Sequence, residues 1–174
     1  MGFSYTRINN PTVESFEKRV TMLEDGIGSV ACASGMAALT NAFLNILQAG
    51  DEIVAACGLY GGTVELFDDL KPFGISVKYV KENKPEAFEA EITEETRLVF
   101  AETIGNPKLD VTDIHAVAEV AHKHDVPLIV DNTVATPYLI QPLKLGADIV
   151  VHSSSKYING SSDAISGILV CGKG

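Results

Sequence analysis

The chain has 174 residues, of which 46% are hydrophobic and 21% are charged, and this composition is typical of a soluble globular domain. The length is enough for one sizeable hydrophobic core but too short for two full domains. A formal net charge of −10 argues against nucleic acid or an anionic membrane as a partner. No apolar run approaches the roughly 20 residues that a membrane-spanning helix needs.

The cysteines and the N-terminal residues predict where the protein works. The three cysteines are odd in number and far apart in the chain, which favours reduced thiols over disulfides: Cys32, Cys57 and Cys171. The first residues lack the basic and apolar regions of a secretory signal peptide. We therefore expect a cytoplasmic protein.

Short apolar runs rich in β-branched residues alternate along the chain with longer amphipathic segments. The first helix is predicted to begin at Pro11 and to end before Gly26. Ser34 is predicted to cap a second helix that runs to about Gln48, and a third helix spans about 113–124. Seven strands are predicted, near residues 28–32, 52–56, 76–80, 97–101, 127–131, 148–151 and 166–171. This alternation indicates an α/β fold, with a mostly parallel seven-stranded sheet and helices on both faces.

Polar and small residues follow most of the predicted strands. In parallel sheets, ligands bind at the carboxyl ends of the strands, so these residues are candidates for a functional site. They are Ser34-Gly35-Met36, Tyr60-Gly61-Gly62, the run from Glu102 to Asn106-Pro107, Asp131-Asn132-Thr133, and the run from Ser153 to Lys156. Each stretch by itself has an ordinary explanation as a helix cap, a turn or a solvated surface charge.

Taken together, these residues match the groups that pyridoxal 5′-phosphate (PLP) requires. A lysine amine such as that of Lys156 can form a Schiff base with the cofactor. A carboxylate such as that of Asp131 can pair with the ring nitrogen and keep it protonated. An aromatic side chain can stack on the ring, and a helix N-terminus with nearby hydroxyl groups can bind the phosphate. The sequence therefore predicts a PLP site at this edge of the sheet.

The same stretches resemble the Cys/Met-metabolism family of PLP-dependent enzymes, which has the aspartate-aminotransferase-like (type I) fold. The matching stretches follow the family's order over nearly the whole chain. They are Tyr5-Thr6-Arg7, Asn10-Pro11-Thr12, Ser34-Gly35-Met36-Ala37-Ala38, Tyr60-Gly61-Gly62-Thr63, Gly105-Asn106-Pro107, Asp131-Asn132-Thr133, Thr136-Pro137, and Gly146-Ala147-Asp148-Ile149-Val150-Val151-His152-Ser153 with Lys156-Tyr157. By this resemblance, residues 1–11 are an N-terminal arm and residues 12–174 belong to the large PLP-binding domain.

The resemblance also implies a role for each candidate residue. Lys156 is the Schiff-base lysine, Asp131 pairs with the ring nitrogen, and Tyr60 stacks on the ring and assists proton transfer. The remaining residues are implied to contact the cofactor: Gly35, Met36, Ser153 and Ser155 at the phosphate, Thr133 at the ring, and Asn106 near the ring hydroxyl and the substrate. Tyr5 and Arg7 are implied to reach the phosphate of a neighbouring subunit, so a homo-oligomer, a dimer or a tetramer, is expected.

Within the family, the stretches resemble O-acetylhomoserine sulfhydrylases and cystathionine γ-synthases most. This resemblance implies γ-replacement on O-acetylhomoserine, an amino-acid substrate, by sulfide or a thiol. γ-Elimination, as in a methionine or cystathionine γ-lyase, is an alternative. Because family members continue into a smaller C-terminal domain that is missing here, a cofactor-domain fragment that does not catalyse the reaction by itself is a second alternative.

Three other motifs are weaker. Ser153 and Lys156 fit the Ser-x-x-Lys pattern of penicillin-binding hydrolases, but the sequence lacks the Ser-Asp-Asn and Lys-Thr-Gly motifs of that class. The glycines of residues 26–31 resemble a dinucleotide fingerprint, but they follow a predicted helix instead of a strand. His122 and His124 are two residues apart on a predicted helix and so point to different faces, which argues against a metal site.

Overall fold

A computed structural model describes residues 2–173. Met1, the first residue of the predicted N-terminal arm, and Gly174, the last residue of the predicted PLP-binding domain, lie outside the described residues. It contains one seven-stranded sheet. The strands are β1 (Gly28–Cys32), β2 (Glu52–Ala55), β3 (Ser76–Tyr79), β4 (Thr96–Glu102), β5 (Leu128–Asp131), β6 (Ile149–His152) and β7 (Gly167–Cys171). All seven predicted strands are confirmed within one or two residues at each end.

The sheet is mostly parallel, as predicted. Its strand order is β1-β7-β6-β5-β4-β2-β3, and only β7 runs antiparallel to its two neighbours. The central strands β6, β5, β4 and β2 are parallel, so their carboxyl ends share one edge of the sheet. That edge is where a ligand site is expected in an open α/β sheet.

Both faces of the sheet centre are covered. Successive residues of a strand point to opposite faces, yet β2 is buried at every position and β4 at every position except Arg97. Helices pack on these faces, and the largest side chains of the core meet in an aromatic cluster. In that cluster the ring of Phe43 lies 5.4 Å from the rings of both Phe67 and Phe100, measured between centroids. The apolar strand runs of the sequence therefore reflect burial on two sides.

Six α-helices lie within residues 2–173: α1 (Pro11–Glu24), α2 (Gly35–Ile46), α3 (Gly61–Leu70), α4 (Pro85–Glu91), α5 (Ile114–Lys123) and α6 (Thr136–Leu139). The predicted starts of α1 and α2 are confirmed. The Asn10 side chain accepts from the N–H groups of Thr12 and Val13, and the Ser34 hydroxyl accepts from Ala37 N–H at 3.1 Å. Within the described residues, no helix has the length and apolarity to cross a membrane.

Candidate active site

A cavity of about 250 Å³ opens at the carboxyl ends of β4, β5 and β6. Nine of the eleven residues that the sequence assigned to the site line it: Gly35, Met36, Tyr60, Asn106, Asp131, Thr133, Ser153, Ser155 and Lys156. Apolar side chains complete its wall, namely Leu39, Ile104, Val134 and Ile165, together with the polar residues Ser34 and Glu102. Residues that are far apart in the chain therefore converge on one concave surface.

Two carboxyl groups stand side by side in this cavity. Glu102 and Asp131 are the last residues of β4 and β5, and they are register partners in the parallel pairing of these strands. The pKa of Glu102 is raised to about 7: burial is the main cause, the nearby Asp131 adds to it, and the backbone N–H groups of Tyr60 and Asn106 act in the opposite direction. Burial also raises the pKa of Asp131, against the opposing effects of its hydrogen bonds with Thr133 and the nearby His152. This pair of carboxyl groups would be stabilised by a cation.

Asp131 is held in place by the residue two positions later. Its Oδ1 accepts a hydrogen bond from Thr133 N–H at 2.9 Å. The Thr133 hydroxyl in turn accepts from Ser153 N–H at 2.8 Å, which connects the end of β5 to the loop after β6. Among the described residues, no Lys, Arg or His side chain forms an ion pair with Asp131. A buried carboxylate is costly without a cationic partner, and the cavity is where the predicted partner of Asp131, a protonated ring nitrogen, can bind.

The N-terminus of α2 forms one wall of the cavity. Ser34 satisfies the N–H groups of Ala37 and Ala38, and within the described part of the chain no acceptor contacts the N–H of Gly35 or Met36. A Cβ atom at Gly35 would lie 2.6 Å from Cβ and 2.9 Å from Cα of Ser153. The glycine therefore allows α2 to pack directly against the loop that carries Ser153, and the two free N–H groups can bind an anion.

Tyr60 precedes α3, and its ring is half-exposed at the cavity. The Glu102 carboxylate accepts a hydrogen bond from the backbone N–H of Tyr60 at 2.8 Å. A Cβ atom at Gly62 would lie 2.6 Å from Cε1 of the Tyr60 ring. Gly62, two positions after Tyr60, thus leaves room for the ring over the first turn of α3.

Lys156 and Ser155 lie in the turn after β6. Lys156 is solvent-exposed at the mouth of the cavity, and in the region that the structure covers its amine has no carboxylate within ion-pair distance. The Ser155 hydroxyl donates to Ser166 O at 3.1 Å and accepts from Ser166 N–H at 2.9 Å. Ser155 therefore ties this turn to the start of β7, and its hydroxyl hydrogen is already engaged within the chain.

Tyr5 and Arg7 do not reach this cavity. Both lie in the segment before α1, where the Arg7 guanidinium is 5.4 Å from the centre of the Tyr5 ring. Arg7 lines a separate surface depression with residues of α1 and β1. The sequence assigned these two residues to the site of a neighbouring subunit, and that role stays a prediction.

One residue of the site had no role in the sequence analysis. Glu102 was recognised only as the first residue after a predicted strand, whereas β4 extends to include it. It is buried, with 5% of its surface exposed, and it lines the cavity beside Asp131. The available signal was its position, because Glu102, like Asp131, is a carboxylate at the end of an apolar strand.

The cavity fits the groups that PLP would need. As far as residues 2–173 show, it presents a carboxyl pair without an ion-pair partner, two N–H groups without an acceptor at a helix N-terminus, an aromatic ring and a lysine amine. A phosphate, a cationic ring nitrogen and an aldehyde carbon are the complementary ligand groups. The arrangement thus suits an anionic ligand with a protonated aromatic ring.

Comparisons with known proteins agree with this chemistry. The family model described as "Cys/Met metabolism PLP-dependent enzyme" matches residues 1–174. An O-acetyl-L-homoserine sulfhydrylase from Leptospira meyeri is 50% identical over 172 residues, which are 98% of this chain and 39% of the relative. An L-methionine gamma-lyase from Porphyromonas gingivalis is 46% identical over 97% of this chain and 43% of its own length. The chain therefore spans about two fifths of the length of these curated relatives.

A solved structure from Campylobacter jejuni has the same fold. It superimposes with a TM-score of 0.94 and 38% identity, over 99% of this chain and 43% of that one. It contains N′-pyridoxyl-lysine-5′-monophosphate. The chain belongs to the Cys/Met metabolism family of PLP-dependent enzymes, and its fold is that of the family's PLP-binding domain.

Proposed function

We propose that this chain is the cofactor-binding part of an enzyme that performs γ-replacement on O-acetylhomoserine with sulfide or a thiol. The observation that carries the proposal is the convergence of Lys156, Asp131 and the N-terminus of α2 on one cavity. When bound, PLP supplies an electron sink that eases proton loss from the carbons of an amino-acid substrate. The protein would position the reacting groups and move the protons.

Each group of the cavity has a task in this proposal. Asp131 would hold the ring nitrogen, and its fixed Thr133 hydrogen bond would orient it for that contact. The N–H groups of Gly35 and Met36, with the Ser153 hydroxyl, would hold the phosphate. Ser155 would join them only after its hydroxyl hydrogen leaves Ser166 O. Thr133 would support the ring from the side of β5.

Lys156 and Tyr60 would carry out the proton transfers. The Lys156 amine would hold the cofactor at its aldehyde carbon, with release of water, and the same amine in its free form would act as a base. Tyr60 would cover the ring and assist at the same carbons, and Asn106 would contact the ring hydroxyl and the substrate. All three residues line the same cavity, and this supports the division of roles.

Similarity to sulfhydrylases supports replacement over elimination. The 50% identical relative is named a sulfhydrylase, and the methionine gamma-lyase is 46% identical. In replacement, the γ-acyloxy group leaves and sulfide adds at the same carbon to give homocysteine. In elimination, the product is a 2-oxo acid instead. Replacement requires sulfide or a thiol, whereas elimination does not, so the product identifies the reaction.

We also propose that the protein works as a homo-oligomer in the cytoplasm. Tyr5 and Arg7 lie outside the cavity of their own chain, and this placement supports a role at a neighbouring subunit's phosphate. The absence of paired cysteines in the described residues supports a reducing compartment.

The test measures products of the complete gene product with O-acetylhomoserine, with and without sulfide. We expect homocysteine that depends on sulfide, and its loss in Lys156→Ala. Sulfide-independent release of a 2-oxo acid would assign the protein to the γ-lyases. Lys144→Ala is the matched control, because Lys144 lies before β6 and does not line the cavity. Full activity of Lys156→Ala would contradict the proposal.

A further inference from the structure

Glu102 connects three parts of the cavity wall. It ends β4, its register partner on β5 is Asp131, and its carboxylate accepts the Tyr60 N–H at 2.8 Å. Tyr60 is the residue just before α3, and within the described residues no side chain caps that helix. The backbone of the Tyr60 turn is therefore attached to the sheet through a carboxyl group that forms no ion pair within residues 2–173.

The hydrogen bond to Glu102 holds the backbone of Tyr60, and Gly62 leaves the space that the Tyr60 ring occupies. The ring rests where a Cβ atom at position 62 would lie, 2.6 Å from Cε1. Loss of this hydrogen bond would remove a side-chain contact between the turn and the end of β4, and the Tyr60 ring itself is half-exposed. This hydrogen bond therefore links the turn that carries Tyr60 to the end of β4.

We propose that Glu102 is a positioning residue that holds the Tyr60 turn against the cofactor site and shares with Asp131 the stabilisation of a bound cationic ring. The second half of this inference rests on the proposed function. The first half does not, because the hydrogen bond is a property of the chain without any ligand.

Glu102 shares the cavity with three other titratable side chains that line it: Asp131 from β5, Tyr60 from the turn before α3, and Lys156 from the turn after β6. Asp131 raises the pKa of Glu102, and His152 acts on Asp131 from the end of β6. A cationic ring between the two carboxyl groups would favour the ionised form of both. Ligand binding would thus release a proton from Glu102 near neutral pH.

Two substitutions separate the hydrogen bond from the charge. Glu102→Gln keeps an oxygen that can accept from Tyr60 N–H, whereas Glu102→Ala removes the acceptor. The matched control is Glu52→Gln, because Glu52 is also a buried carboxyl group on a strand, with 6% of its surface exposed. Glu52 begins β2 and therefore lies at the edge of the sheet away from the cavity, where it contacts Thr96 and Lys78.

The first measurement is amide hydrogen exchange at Tyr60 in the protein without cofactor. We expect exchange to speed up by about 10-fold or more in Glu102→Ala and to stay near the wild-type rate in Glu102→Gln and Glu52→Gln. Unchanged protection in Glu102→Ala would overturn the positioning role, whatever the protein binds.

The second measurement is the dissociation constant of PLP at pH 6 and pH 8. We expect Glu102→Gln to match the wild type at pH 6 and to bind about 10-fold more weakly at pH 8, where the wild-type carboxyl is ionised. The shared stabilisation would be refuted if the PLP dissociation constants of Glu102→Gln and the wild type had the same ratio at both pH values. An equal loss of PLP affinity in Glu52→Gln would also refute it. Failure of the wild type to bind PLP would refute the proposed function and, with it, this second half alone.

Discussion

The carboxylate of Glu24 contacts the imidazole of His152 at 2.5 Å between Oε1 and Nε2, and both side chains are fully buried. The two residues are 128 positions apart in the chain. Asn132 donates to the same Glu24 oxygen at 3.0 Å and accepts from the Thr103 hydroxyl at 3.0 Å. These three hydrogen bonds form a buried network that joins α1 to the carboxyl ends of β4, β5 and β6.

This buried network lies directly behind the cavity. Its members alternate with cavity residues because neighbouring residues at a strand end point to opposite sides. Thr103 follows Glu102, Asn132 follows Asp131, and His152 precedes Ser153. The network thus holds the backbone beside three cavity residues, although its own side chains do not line the cavity.

Glu24→Ala is expected to destabilise the protein by about 3–5 kcal/mol, because removal of one partner leaves the other polar groups buried without their contact. Urea unfolding of the two proteins measures this difference. Glu14→Ala, which removes the exposed pair with Lys18 on the same helix, should cause a much smaller loss. Equal effects of the two substitutions would show that the Glu24 contact contributes little.

Glu102 predicts a pH-dependent stability for the protein without cofactor. The pKa of its carboxyl is about 7 in the folded chain, above its ordinary value of 4.5, so folding favours the neutral form. The contribution of neutral Glu102 to the free energy of unfolding is fully present below about pH 4.5 and is lost as the pH rises through about 7.

Glu102→Gln removes this titration. The variant should equal the wild type in stability near pH 5 and exceed it at pH 8 by up to about 3 kcal/mol. Denaturant unfolding at both pH values measures the effect. A variant that is less stable than the wild type at pH 8 would mean that Glu102 is stabilised as a carboxylate.

Gly35→Ala tests the close packing of α2 against the loop after β6. The new Cβ would lie 2.6–2.9 Å from Cβ and Cα of Ser153, so the helix start or the loop must shift. We expect a loss of about 1–3 kcal/mol in the free energy of unfolding and weaker PLP binding. Gly28→Ala is the control, since a Cβ atom there meets nothing within 4 Å. Wild-type PLP affinity in Gly35→Ala would show that this wall can move freely.

The proposed sharing of sites between subunits predicts complementation. Arg7→Ala and Lys156→Ala should each be inactive alone, because each disrupts every site of a homo-oligomer. Mixed oligomers contain sites that combine an intact Lys156 with an intact Arg7 from the other variant, so partial activity should return after mixing and reassembly. Arg7→Ala with wild-type activity, or a mixture that stays inactive, would argue against a shared site.

The sequence predicted the strands well because they are buried on both sides, and runs such as Leu98-Val99-Phe100 leave little alternative. The helix starts at Pro11 and after Ser34 followed from local capping, which depends on residues two or three positions away. Most of the cavity lining was predictable for a related reason, since the residues after parallel strands meet at one edge of the sheet.

The roles of Glu102 and of the Glu24 network were not predictable in the same way. Glu102 acquires its role from the register that places it beside Asp131 and from a turn 42 residues away. Glu24 looks like an ordinary polar residue near a helix end, and only the packing of α1 on the sheet buries it against His152. Both depend on contacts between distant segments, which spacing along the chain does not encode.

The central claim is that Lys156 holds the cofactor, and chemical labelling tests it most directly. The purified protein is mixed with PLP, reduced with borohydride, digested and analysed by mass spectrometry. We predict visible absorbance before reduction and a pyridoxyl group on Lys156 after it, both lost in Lys156→Ala but retained in Lys144→Ala. Label on another lysine with Lys156 unmodified, or no label at all, would contradict the account.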